Sequence, residues 1–338
     1  ISALALYSQL WPSIDPAGKL QKFARDQLLR ISEKQLDKDG VQFEYSLHYQ
    51  RLVCELLAMP HFTSLLLGQG GFGKTYENRL IKMLDVLKAA VNRQGLLPQI
   101  GDNDSEVLYC VALENGTPRD IQPFMALCNH FLSHDFQNHT HLENLMMLSG
   151  YGIPTVPESW QAPNKDSESR IFANPGWIFE RIGRFDAALV CGNVGTNGLG
   201  AHDHNHCNEI ILSFDGIEFA VDPGTSCYTR NPATRNTLRS VKSHNTVDAG
   251  KEPGKLGANL NELWYIRHPW TAQFKDLGNH QYELACFYSG IRHLRNVSLR
   301  ENEIEIDDHI TGASKTTQRW ILHPAVHIKS RADGCMEC

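Results

Sequence analysis

Between Gly198 and Val247 the chain gathers the residue types that bind metals and move protons. His202, His204 and His206 stand at alternate positions, followed by Glu209, Asp222, Arg235, Arg239 and His244. Imidazole serves as a metal ligand or as a proton carrier near neutral pH, and two imidazoles with one carboxylate suit zinc. His204, Asp222 and His244 are therefore one candidate metal set. In an extended segment, residues two apart project to a common side, which would group the three alternate histidines. The alternative for the same residues is a polar surface loop.

The elements that must position them are legible as a hairpin. Ile210, Leu212 and Phe214 alternate with Glu209, Ile211 and Ser213, Asp215-Gly216 is a turn signal, and Ile217, Phe219 and Val221 resume the alternation. Pairing Phe214 with Ile217 predicts six apolar side chains on one face and Glu209, Glu218 and Asp222 on the other. A strict hairpin sets Asp222 opposite Glu209 rather than His204. The histidine segment must then bend back, and Gly195, Gly198 and Gly200 give it the freedom to do so.

The linked motifs resemble those of the heparinase II/III-like polysaccharide lyases. Those carry a Gly-x-Gly-x-His-x-His segment, Asp-Pro-Gly-Thr with a nearby Tyr, then Arg and His-Asn-Thr-Val. Here they read His202-Asp203-His204, Asp222-Pro223-Gly224-Thr225 with Tyr228, Arg235 and Arg239, and His244-Asn245-Thr246-Val247. The chain departs from the family at His206, where Asp is more usual, and at Asp203, where a small residue is. Asp39-Gly40, Glu44, Ser46 and Tyr49 resemble a family pattern at a helix start, and Gly95 to Asp102-Asn-Asp104 resembles its Gly-Asp loop.

The resemblance implies an N-terminal incomplete (α/α) toroid followed by a C-terminal antiparallel β-sandwich, and β-elimination on uronic-acid-containing polysaccharide. It places the catalytic roles on Tyr49 and His202 and structural zinc on His204, Asp222 and His244. Substrate binding falls to Glu44, Asn208, Tyr228, Arg235 and Arg239. The family also uses an Asn-His element ahead of the tyrosine helix, which is not found before Tyr49. With Ile1 reading as mid-helix sequence, the expectation is a truncated start with that element upstream. The expected partner is an acidic polysaccharide, with a homodimer allowed and neither nucleic acid nor membrane involved. The compartment implied is the periplasm or the exterior, although the cysteines favour the cytoplasm. A catalytically inactive carbohydrate-binding relative is the alternative function.

Tyr49 has a second reading by spacing alone. With Leu52, Val53, Leu56 and Leu57 it forms an i, i+3, i+4, i+7, i+8 stripe, the pattern of a core-facing helix. Gly68 to Thr75 matches the phosphate-loop pattern, which would make the chain a nucleotidase. The mechanism needs a strand before the loop, whereas the preceding stripe is helical with Pro60 as its interruption, so a glycine-rich turn between two helices is the better reading.

The 338 residues, 41% of them hydrophobic, suffice for two cores. Helical spacing over Leu20 to Ile31 and Leu80 to Val91 predicts an α domain over 1–152. A Pro-rich linker follows over 153–168, and short apolar runs, among them Leu263 to Ile266 and Arg319 to Leu322, predict a β domain over 169–338, cut at its C-terminus. The net charge of −6 argues against nucleic acid. Arg230, Arg235, Arg239 and Lys242 nonetheless form a local basic cluster, either an anion site or a solvated face. Nine cysteines without framework spacing read mostly as free thiols, and Cys335-x-x-Cys338 has no matching pair.

Overall fold

The computed structural model describes residues 1–103, 108, 117–149, 167–330, 336 and 337. The chain divides into two compact units. Ile1–Leu97 and Asn103–Asn164 form the first, and Pro98–Asp102 and Lys165–Cys338 the second. Of the expected linker, residues 153–166 lie outside the described residues, as do Asp104 and the terminal cysteine pair; Ser167 and Glu168 already belong to a strand.

The described part of the first unit is helical: α1 (Ser2–Leu10), α2 (Lys19–Lys34), α3 (Leu47–Leu66), α4 (Lys74–Ala90), α5 (Gln122–Leu132) and α6 (His141–Ser149). Ser46 caps α3 by accepting the Tyr49 amide at 3.3 Å. The buried face of α3 is not the expected one. Gln50, Arg51, Cys54, Glu55, Leu57, Ala58, His61 and Phe62 are buried, while Tyr49, Leu52, Val53 and Leu56 are only half-buried. The polar members of the buried face are paired within it: Arg51 Nε donates to Glu55 Oε1 at 2.8 Å, and Gln50 bonds the Gln42 amide and the Gly40 carbonyl. Polar residues that find internal partners are buried as readily as leucines. Tyr49 is thus not a core tyrosine.

Pro60 does not interrupt α3, which runs through it to Leu66. The glycine-rich loop follows a helix, not a strand. Its Phe72 amide donates to His61 Nδ1 at 2.9 Å, and a Cβ on Gly71 would lie 2.6 Å from the His61 ring. Lys74 opens α4 and bonds Glu77 at 3.1 Å. This is a turn that packs against a helix, with its glycines absorbing positive φ.

The second unit holds two antiparallel meanders. One is β1 (Ser167–Phe172), β2 (Trp177–Ile182), β3 (Phe185–Val190), β4 (Glu209–Phe214) and β5 (Ile217–Ala220) in that order. The other runs through Thr271–Gly278, Gln281–Tyr288, Ile291–Arg300 and Glu303–Thr311. Ile178, Leu189, Ile210, Leu212 and Ala220 of the first sheet share one core with Tyr282, Leu284, Val297 and Leu299 of the second. This common core is what makes a sandwich of the two sheets.

The hairpin forms with its expected turn: Phe214 pairs with Ile217, and Asp215 and Gly216 both take positive φ. Its faces differ from expectation. Ser213 pairs with Glu218 but Leu212 with Ala220, so Phe219 is an extra residue in a bulge. The bulge reverses the alternation, and Ala220 rather than Val221 enters the core. Ile217 is left 62% exposed. Leu263–Trp264 is a turn rather than a strand, and of Arg319–Leu322 only Leu322 pairs, through an isolated bridge to Ala220.

Candidate active site and metal centre

The histidine segment enters β4 through a turn. The Glu209 amide donates to the His206 carbonyl at 3.1 Å, and Asn208 takes a φ of +55°. Asparagine tolerates that left-handed conformation better than most residues. The required bend therefore comes from Asn208 as well as from Gly198 and Gly200, both at positive φ. Asp203 fastens the segment, accepting the Gly195 amide at 2.8 Å and the His204 amide at 2.9 Å, and lying 2.8 Å from His206 Nε2.

His244 is delivered by its neighbour. The Asn245 carbonyl accepts the Ile210 amide (3.3 Å), and its side chain donates to the Val221 carbonyl (3.1 Å) and accepts the Ile321 amide (2.6 Å). His244 Nδ1 then lies 3.2 Å from Glu209 Oε1 and 3.3 Å from Asp222 Oδ2. His204, Asp222 and His244 are all buried, with one donor atom of each within 4.8 Å of the others. A second such group, His206, Glu209 and Asp222, shares Asp222 with the first.

These residues fit a metal. His204 Nδ1, His206 Nδ1 and Glu209 Oε2 are buried without a hydrogen-bond partner among the described residues. Leaving such an atom unpaired costs about 1–3 kcal/mol, and imidazole nitrogen and carboxylate oxygen are zinc's own ligand types. Burial lowers the His204 pKa against the opposing pull of Asp102, which keeps a lone pair available. Burial would lower His244 too, but Glu209 and Asp222 outweigh it and raise its pKa to about 10. Burial raises Glu209; in Asp222 the attraction of His244 overcomes burial and lowers it. Metal binding must displace the His244 proton.

Asp102 organises the rest. It is fully buried; its Oδ2 accepts from His202 Nδ1 at 3.0 Å, and its Oδ1 accepts from His204 Nε2 (3.0 Å), Thr225 Oγ1 (2.7 Å) and Arg235 Nη1 (2.7 Å). Burial pushes the Asp102 carboxyl up, yet its bonds to His202, His204 and Arg235 hold it well below the usual carboxylate range. An ionised acceptor fixes both tautomers. The proton of His202 sits on Nδ1, and the proton of His204 sits on Nε2.

A stability prediction follows from the sign of that shift. Because the folded-state pKa lies below the unfolded value of about 3.9, the Asp102 network contributes stability that is fully present above that pH and is lost as the pH falls through the lowered value. In urea unfolding of the metal-free protein, Asp102→Asn should be less stable at pH 7, with the difference narrowing in acid. A gap that is the same at both pH values would contradict it.

Around His202, which is 14% exposed at its side chain, lie Trp264 and Tyr228, with ring centroids 5.6 and 6.3 Å away. The Arg235 guanidinium stacks 4.7 Å from the Tyr228 ring and 4.8 Å from that of Trp264. Arg235 is itself fully buried, so it presents a rigid aromatic corner rather than a free cation. Arg239 is also interior and donates to the carbonyls of Asp203, Leu263 and Gly200. Asn208 spends its amide on the carbonyls of Leu284 and His293. Both hold the fold. Of the expected basic cluster only Arg230 and Lys242 are exposed. Glu44 and Tyr49 belong to the first unit, Glu44 in the turn before α3 and Tyr49 in its first turn.

Sequence reasoning gave no role to Asp102, Glu209 or Trp264. Glu209 was signalled by its place on the polar face beside Asp222, and Asp102 by its Gly-Asp loop. Trp264 carried no signal, because its apolar run reads as a strand.

Residues 164–336 match the family model described as Heparinase II/III-like, C-terminal. Among solved structures, a heparinase III is 15% identical, with 98% of this chain and 50% of that chain covered and a TM-score of 0.67. The heparan sulfate lyase HepC from Pedobacter heparinus is 15% identical, with 98% and 48% covered and a TM-score of 0.64. A heparinase III with methylated lysines gives 16%, 97% and 47%, with a TM-score of 0.66. At these identities the likeness is one of fold, and the chain spans about half the length of these structures. No curated protein matches the sequence.

Proposed function

Because the chain belongs to the heparinase II/III-like family, we propose that it cleaves uronic-acid-containing polysaccharide by β-elimination. The observation that carries this reading is His202, partly open at its side chain, whose Nδ1 is tied to the buried, ionised Asp102. The similar solved structures are a heparinase III and a heparan sulfate lyase, which favours an acidic glycan. We read the helical unit as part of an (α/α) toroid, a reading supported by a likeness to heparinase III that covers 98% of the chain.

In β-elimination the C5 proton, acidified by the adjacent carboxylate, goes to a base, and the C4 oxygen leaves as it gains a proton. The C4–C5 double bond then forms. His202 Nε2 is the base in this reading, because Asp102 holds the ring's proton on the other nitrogen. Trp264 and Tyr228 lie beside the His202 ring, and aromatic side chains suit contact with a sugar ring. Tyr49 supplies the proton to the leaving oxygen, an assignment that rests on its sequence motif and is helped by its place on the half-buried face of α3. His204, Asp222 and His244 would hold zinc, which when bound cross-links the histidine turn, the end of β5 and the segment after the arginines.

The test is incubation with a panel of uronate polymers, following the ultraviolet absorbance of the unsaturated product. Growth of that absorbance supports the lyase. Binding of the polymers without any product would instead favour an inactive carbohydrate-binding relative.

A further inference from the structure

We infer that Glu209 is a fourth protein ligand of the metal, closing the shell formed by His204, Asp222 and His244 so that no position is left for water or substrate. The inference rests on the metal reading above and adds to it a residue and a consequence. In a tetrahedral site with ligand bonds of about 2.0–2.1 Å, neighbouring donor atoms stand about 3.3 Å apart. His244 Nδ1 lies 3.2 Å from Glu209 Oε1 and 3.3 Å from Asp222 Oδ2, so two edges of such a tetrahedron are already in place, one of them running to Glu209.

Three further observations point the same way. Glu209 is fully buried, and its Oε2 has no hydrogen-bond partner among the described residues, although a carboxylate is costly to bury unpaired. Its backbone is fixed by pairing with Val190 at the head of β4, which holds its Cα beside the cluster. Glu209 also joins Asp222 in the second candidate group, where His206 Nδ1 stands 3.7 Å from Glu209 Oε2, too far for a hydrogen bond. His206 Nε2 is already held by Asp203, which suits His206 to a position outside the shell. Four protein ligands with no open position are the mark of a structural zinc site.

The experiment uses the zinc-loaded chain and its cobalt-substituted form. Zinc affinity is measured by competition with a chromophoric chelator, and Glu209→Gln should weaken it by more than the roughly 10- to 100-fold that loss of an outer partner produces. The visible spectrum of the unmodified cobalt protein should show tetrahedral intensity and should not respond to azide, a reading that requires no variant. In Glu209→Gln, azide should enter the vacated position and shift the bands, with circular dichroism verifying the fold. An azide-responsive unmodified protein, or a variant that holds zinc as tightly as the parent, overturns the role of Glu209 alone. An unmodified chain that binds no zinc overturns the metal reading with it.

Discussion

Tyr49→Phe should lower turnover of every uronate substrate by about 10²- to 10⁴-fold while leaving the thermal midpoint nearly unchanged. The leaving group in β-elimination is a sugar alkoxide, a poor one unless it is protonated as the bond breaks. Under the proposed mechanism the Tyr49 phenol is the donor, and phenylalanine keeps the ring while deleting the proton. The buried face of α3 comprises Gln50, Cys54, Leu57, Ala58 and His61, so the substitution leaves the core intact. A core role would give the opposite pattern, with turnover retained and stability lost. Steady-state kinetics paired with thermal unfolding separates the two.

His202→Ala should cost turnover in the same range, but unevenly between substrates. Two uronates that are epimers at C5 present the reacting proton on opposite faces of the ring, so a base fixed in one place reaches only one of them directly. The substrate whose C5 proton faces His202 should lose nearly all cleavage, and its epimer much less. Asp102→Asn should reproduce the loss in part, because an amide can hold the imidazole in the wrong tautomer. Equal losses on both epimers would assign His202 to binding rather than to proton abstraction.

Much of this site could be read from the sequence, because it is built from local motifs. The Asp215-Gly216 turn depends on residue types at fixed offsets and appears where the spacing puts it, and His204, Asp222 and His244 come together once the histidine segment bends back. What the spacing could not show depends on partners distant in the chain. The bulge at Phe219 is set by pairing with Leu212 and reverses a face that alternation alone assigns the other way. Arg235 and Arg239 read as substrate cations because a sequence does not reveal that Asp102 and three carbonyls take up their charge. By spacing alone Tyr49 falls on a core-facing stripe, because a hydrophobic stripe cannot express that α3 buries its polar residues in pairs. Glu209 was visible on the polar face, but its nearness to His244 requires the Asn245 cross-link.

Mass analysis of the products formed from a uronate polymer in heavy-oxygen water tests the proposed chemistry most directly. Elimination should give chains ending in an unsaturated uronate, lighter by one water than hydrolysis products and free of label from the bond cleaved. Saturated ends carrying heavy oxygen would show hydrolysis and contradict the assignment of His202 as the C5 base.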